Sequence, residues 1–241
     1  MKKLAVYWSY RMPGKVGLLV EPLVPVLQDL NSRGSGIKSL GVSMYQKCPS
    51  YINYFKNTFV VRAASDITII HDTEGKTISL QGDLGTDPTS VTSIVDAGEY
   101  EENYPIMQLT WETLLFTEED IEVSQIPASM HDNSLLRNSF SVSGSMNISK
   151  WFRSMRPAFF MRKGSTIDIR KGDVLYYLKV HTSKPVEIVP FEVTEDIASI
   201  VEECATLKNY KCSQPLPRLY KWFVSMNRPA KVLKLIKANL R

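Results

Sequence analysis

The chain has 241 residues, of which 44% are apolar and 22% charged, with three cysteines and a formal net charge of +4. That apolar fraction supports a packed core and excludes wholesale disorder, and no apolar run approaches the roughly 18–20 residues that cross a bilayer. The charge is sorted: twelve acids and no basic residue lie between Lys76 and Arg137, whereas residues 208–241 hold nine basic residues and no acid.

Residues 1–207 carry 20 basic against 25 acidic residues, net −5, and the remainder carries +9. A body and a basic tail with different electrostatic jobs follow from that asymmetry. The odd cysteine count, without Cys-x-x-Cys or Cys/His ligand spacing, predicts free and mostly buried thiols at Cys48, Cys204 and Cys212 in a reducing compartment.

In chain order, residues 3–9 read as a strand closed by the Met12-Pro13-Gly14 turn. The apolar run there is too short for a leader, because Ser9, Arg11 and Lys15 interrupt it. Pro22 and Pro25 leave 21–32 as either a short helix or an extended segment. Pro49 at a first helical position starts one or two helical turns. Short β-branched runs at 58–63, 66–71 and 76–80 read as strands, the last two joined by a hairpin turn at 72–75. The acidic stretch 82–104 reads as a surface loop.

Strands resume at 105–116, 120–126, 138–145, 157–162, 166–170, 174–182 and 185–193. About ten short strands with regular turn signals indicate a mainly-β fold, a β-sandwich or jelly-roll-like barrel. Thr194-Glu195-Asp196 then starts a helix, with a capping residue, early acids, and Ile197, Ile200 and Val201 at helical spacing. The predicted division is a β body at 1–193 and a basic helical extension at 194–241, broken at Pro215, Pro217 and Pro229.

Two surfaces stand out. In the first, Arg153, Arg156, Arg162, Lys163, Arg170 and Lys171 interleave with Trp151, Phe152, Phe159, Phe160, Tyr176 and Tyr177. On a β surface this pattern stacks bases and holds phosphates; period-2 alternation equally makes the aromatics core behind a basic rim, or a protein contact. The second is the tail, where Arg218, Lys221, Trp222, Arg228, Lys231, Lys234 and Lys237 accompany an apolar helical face. Such a helix packs on its own body, or meets an acidic protein, a subunit neighbour or nucleic acid.

Catalytic signatures are sparse. His71, His131 and His181 include no His-x-His pair. Neighbouring His-Asp residues point to opposite faces of a strand, so these histidines read as surface or capping groups. No nucleophile elbow or phosphate loop occurs. The acidic 96–102 segment lacks regular calcium-ligand spacing. No cofactor or metal site is expected.

The turns Lys163-Gly164 and Lys171-Gly172-Asp173 flank an alternating strand, followed by Val174-Leu175-Tyr176. This hairpin resembles those of cupin-type jelly rolls and dUTPase-like barrels, which would imply a metal-dependent or nucleotide-acting enzyme; the ligand and substrate motifs of both families are missing. More broadly, Cys48-Pro49, the run Lys56 to Arg62, Trp151-Phe152 and Arg156 to Phe160 resemble uncharacterised proteins of tailed bacteriophages of marine bacteria. That resemblance covers scattered pieces of 48–182 and implies a viral origin and a β-rich fold.

The combined expectation is a non-enzymatic, phage-type interaction or virion-associated protein. It is soluble in the host cytoplasm or virion, without membrane insertion. Its basic tail docks on a partner protein or a second copy, with nucleic acid as the other candidate.

Overall fold

The computed structural model describes residues 2–9, 21–33, 47–71, 78–81, 92–95, 104, 106–109, 113–210 and 213–241. The 12–14 and 72–75 turns, the acidic 96–102 segment and Cys212 lie outside them. In chain order the strands begin with β1 (Leu4–Ser9), β2 (Val24–Pro25), β3 (Thr58–Arg62), β4 (Ile67–His71), β5 (Ile78–Gln81) and β6 (Thr92–Val95). They continue with β7 (Ile106–Leu109), β8 (Leu115–Phe116), β9 (Glu122–Ile126), β10 (Ser139–Ser141) and β11 (Gly144–Asn147). The last are β12 (Ala158–Met161), β13 (Thr166–Ile169), β14 (Val174–Val180) and β15 (Val186–Phe191). Among the described residues the helices are α1 (Val26–Arg33), α2 (Pro49–Phe55), α3 (Ser134–Asn138), α4 (Glu195–Tyr210), α5 (Leu216–Ser225) and α6 (Arg228–Ala238).

Among the described residues the strands form four sheets, ordered β15-β1-β8, β10-β12-β7-β6, β11-β9-β14-β3-β2 and β13-β4-β5. The protein is thus mainly β with a helical C-terminal region. The barrel alternative is not realised. A barrel needs an unbroken ring of paired strands, and each sheet here ends in two edges. Among the described residues the strand pairings are antiparallel except β1 with β15, which run parallel from Leu4↔Val186 to Ser9↔Phe191.

Two expected long strands are divided. The 105–116 run splits into β7 and β8, and the 138–145 run into β10 and β11, each pair serving two different sheets. The 82–104 segment, expected as loop, contains β6, which pairs with β7; Thr92, Ile94 and Val95 supplied a β-branched signal. The ambiguous 21–32 segment is a two-residue strand followed by α1. Helix α3 was not anticipated, although Asn133 is a good capping residue: its side-chain oxygen accepts the Leu136 N–H at 3.0 Å. Gly164 and Gly172 sit in the turns after β12 and β13 with φ of 69° and 85°, a conformation that costs glycine little; β12, β13 and β14 belong to three different sheets, so the hairpin expected over 157–182 is not formed.

Three apolar clusters hold the elements together. One lies among the sheets, around Val6, Phe59, Ile69, Met107, Val123, Phe159 and Tyr176. A second, around Val26, Leu30, Phe55, Val60 and Tyr177, seats α1 and α2 on the five-stranded sheet. The third fastens the C-terminal helices to the body. Tyr7, Phe116, Trp151, Phe152 and Phe191 meet Ile197, Ile200, Cys204, Leu219, Phe223, Val232 and Ile236.

The chain then returns to the sheet. Glu192 N–H donates to Asn239 O at 3.0 Å, and Arg241 N–H to Pro190 O at 3.1 Å, which covers the C-terminal end of the outer edge of β15. Exposed ladder edges invite pairing with other chains, and this end of the edge is occupied from within.

Candidate functional site

The helical spacing read from the sequence decides which face of α5 and α6 goes inward. Leu219, Phe223, Val232 and Ile236 are buried on the body. The Phe223 ring stands edge-on to Trp151, with centroids 5.8 Å apart. Trp222 is half-buried and also packs against Trp151, at 6.3 Å, so it belongs mainly to the seam. Between the two helices Asn227 adopts the left-handed conformation, φ 52°, which asparagine tolerates better than most residues.

Some basic residues of the tail are used internally. Lys237 Nζ lies 2.7 Å from Glu118, Arg228 2.5 Å from Glu203, and Arg241 pairs with Glu192. The hydrogen bond from Lys237 is the main reason that the Glu118 carboxyl sits below the ordinary carboxylate range. The outward faces remain. Arg218, Lys221, Lys231 and Lys234 are exposed, with Leu216, Val224 and Met226 exposed among them. Arg218 bonds Gln214 at 2.9 Å; Lys221, Lys231 and Lys234 meet no carboxylate among the described residues.

The basic-aromatic patch divides. Trp151, Phe152 and Phe159 are fully buried, so these aromatics are core. Arg153 and Arg156 line a cleft of about 270 Å³ beside β11, together with Ser145, Met146, Met155 and Leu216. No carboxylate lines that cleft among the described residues. Arg162 and Lys163 sit instead at the β12–β13 turn, where Gly164 N–H donates to His71 Nδ1 at 3.2 Å. Arg170 is at the β13–β14 turn, 3.8 Å from Asp66. The sequence grouped six basic residues, and two of them, Arg153 and Arg156, share this cleft.

The histidines have separate roles. Buried His71 accepts the Gly164 N–H just described. His181 Nε2 lies 2.6 Å from Ser124 Oγ on an exposed sheet face. Its ring meets no carboxylate among the described residues, so the third member that orients a Ser–His nucleophile is missing there. Among the described residues no group of three His, Cys, Asp or Glu is placed to hold a metal.

His131 belongs to a buried network that the sequence did not reveal. Asp29 on α1 pairs with Arg62 on β3 through one carboxylate oxygen; His131 Nε2 lies 2.8 Å from the other. His131 Nδ1 lies 2.7 Å from the Tyr177 hydroxyl on β14, which also accepts the Met130 N–H at 3.2 Å. Arg62 further donates to Gly172 O at 2.6 Å. With Nε2 protonated, His131 donates to Asp29 while its Nδ1 accepts from the Tyr177 hydroxyl. The Asp29–Arg62 pair lies in a nearly dry site, and the network ties α1 to the sheet beneath it. Neighbouring acids and bases were read in the sequence as pairs; here the partners are 33 to 102 residues apart.

The thiols differ from the expectation at one position. Cys48 is exposed because α2 starts at Pro49, directly after it, and the backbone N–H groups of Tyr51 and Ser50 lower its pKa. Cys204 is buried, and burial pushes its thiol up to about 12. No family model, curated protein or solved structure matches the chain. Among the described residues, no helix is long and apolar enough to cross a membrane.

Proposed function

We propose that the protein is a non-enzymatic interaction module that holds an acidic partner protein on the outward face of α5 and α6. The observation that carries this reading is the composition of that face. Lys221, Lys231 and Lys234 are exposed without a carboxylate partner among the described residues, beside exposed Val224 and Met226. Apolar anchors inside a basic field suit a partner that offers both burial and negative charge. The buried faces of the same helices are committed to the body, so the site is presented on a fixed surface. The resemblance of scattered segments to phage proteins supports a virion-associated or accessory role, with the sheets stacked as a sandwich.

The test is fluorescence anisotropy with two labelled probes, an acidic polyglutamate peptide and a single-stranded oligonucleotide of equal charge, over a range of salt. The triple variant Lys221→Glu, Lys231→Glu, Lys234→Glu should lose peptide binding at least tenfold while keeping its melting temperature. Tighter binding of the oligonucleotide, with a steeper salt slope removed by the same variant, would replace the acidic protein by nucleic acid as the partner.

A further inference from the structure

The buried stripe of α5 and α6 has a second border besides the basic one. A helix turns about 100° per residue, so Val224, which follows buried Phe223, and Leu233, which follows buried Val232, stand at the edge of the seam. With Pro229, Ala230 and Phe116 of β8 they wall a cleft of about 400 Å³. That volume lies at the small end of the range for ligand pockets, about 300–1,000 Å³. It holds one aromatic side chain.

The rim of the cleft carries charge, and that charge is matched. Glu118 lies 2.7 Å from Lys237, and Asp120 pairs with Lys150. A paired rim suits an apolar occupant better than an ionic one. The wall offers apolar surface to it, since Val224 is 49% exposed and Ala230 is exposed as well. Two lysines border this wall. Residues three or four apart are neighbours on a helix, so Lys221 stands beside Val224 and Lys234 beside Ala230. Both lysines are exposed.

We infer that this cleft is the anchor pocket of the α5–α6 face. One aromatic side chain of the acidic partner enters it, and carboxylates on either side of that anchor meet Lys221 and Lys234. The inference rests on the acidic-partner reading and adds the pattern the partner must present, an aromatic residue flanked by acids. A bulky side chain seated in a pocket and ringed by polar contacts carries much of the energy of protein interfaces.

The test uses two labelled, blocked heptapeptides, one with phenylalanine at the centre of six glutamates and one with alanine there, titrated into the full chain by anisotropy. The phenylalanine peptide should bind at least tenfold more tightly and should shift the methyl NMR signals of Val224, Ala230 and Leu233. Ala230→Gln makes the wall polar without changing the charge, at a third helical position that suits glutamine. Val224→Thr is nearly isosteric and exposed. Each variant should keep its melting temperature and weaken the phenylalanine peptide at least threefold, leaving the alanine peptide unchanged. Equal binding of the two peptides, both lost in the triple lysine-to-glutamate variant, would overturn the anchor pocket and leave the acidic partner in place. A phenylalanine advantage that survives replacement of the glutamates by lysines would overturn the acidic partner on which the inference rests. No binding of either peptide at millimolar concentration would overturn both.

Discussion

Replacing Phe223 by alanine tests whether the C-terminal helices and the sheets are one cooperative unit. The side chain is fully buried at the seam, edge-on to Trp151 and within the cluster that joins α4, α5 and α6 to β1, β8 and β15. Truncating a buried phenylalanine costs about 3–5 kcal/mol through lost transfer energy and the cavity left behind. A chain of this size loses about 2–4 °C of melting temperature per kcal/mol, so a loss near the middle of that range lowers Tm by about 8–16 °C. Two probes should be followed together in a Trp222→Phe background: helical circular dichroism, and Trp fluorescence, to which Trp8 in β1 and Trp151 at the seam then contribute. If the unit is cooperative, both transitions move down by the same amount and stay superimposed. Early loss of helix with a sheet transition displaced by less than about 2 °C would refute the reasoning, because the seam would then carry no stability into the body.

Other perturbations address the remaining features. Asp29→Asn leaves Arg62 uncompensated in a nearly dry site and should cost about 3–5 kcal/mol, as broken buried pairs do. Tyr177→Phe removes one hydroxyl and strands two groups, which should cost about 1–3 kcal/mol; the two variants should be non-additive in denaturant unfolding, because the network is shared. In a Cys212→Ser background, Cys48 should react with iodoacetamide faster than a free thiol at neutral pH, since its pKa is lowered. Cys204 should stay unmodified until the protein unfolds.

Asp120 sits below its ordinary value, held first by the hydrogen bond from Lys150 and then by that from Asn147. A depressed folded-state pKa means that its stabilisation is complete above the unfolded value and is lost as pH falls through the folded one. Asp120→Asn should therefore be less stable than wild type at pH 7. The gap should close from about pH 4, the ordinary carboxylate value, downward.

The strands were legible where β-branched runs met turn residues. The β4 and β13–β15 segments fall close to their expected positions, and Thr194 caps α4 with its hydroxyl 3.5 Å from the Ile197 N–H. The sheets to which strands belong were not legible, since pairing is a long-range choice. Nothing within 105–116 announces that β7 and β8 part company. Trp151 was read with its basic neighbours because the surrounding segment has no strand period from which to infer its direction; packing against α5 turned it inward. The Asp29–His131–Tyr177 network was invisible for another reason. Its members come from three elements, and each looks ordinary in its own neighbourhood. The basic face of the tail was legible because helical spacing and charge both repeat within a few residues.

The parallel pairing of β1 with β15 has a consequence for how the chain acquires its shape. Leu4 must wait for Val186, 182 residues later. At typical synthesis rates of about 5–20 residues per second, that is an interval of about 10–40 s. Throughout it, the apolar segment Leu4-Ala5-Val6-Tyr7-Trp8 has no permanent parallel partner, and its other neighbour, β8, offers only a two-residue register at Tyr7 and Trp8. Closure of such long loops is entropically slow. Strand β1 is therefore among the last of the described strands to gain its full set of partners, and its apolar side chains stay uncovered by β15 throughout that interval.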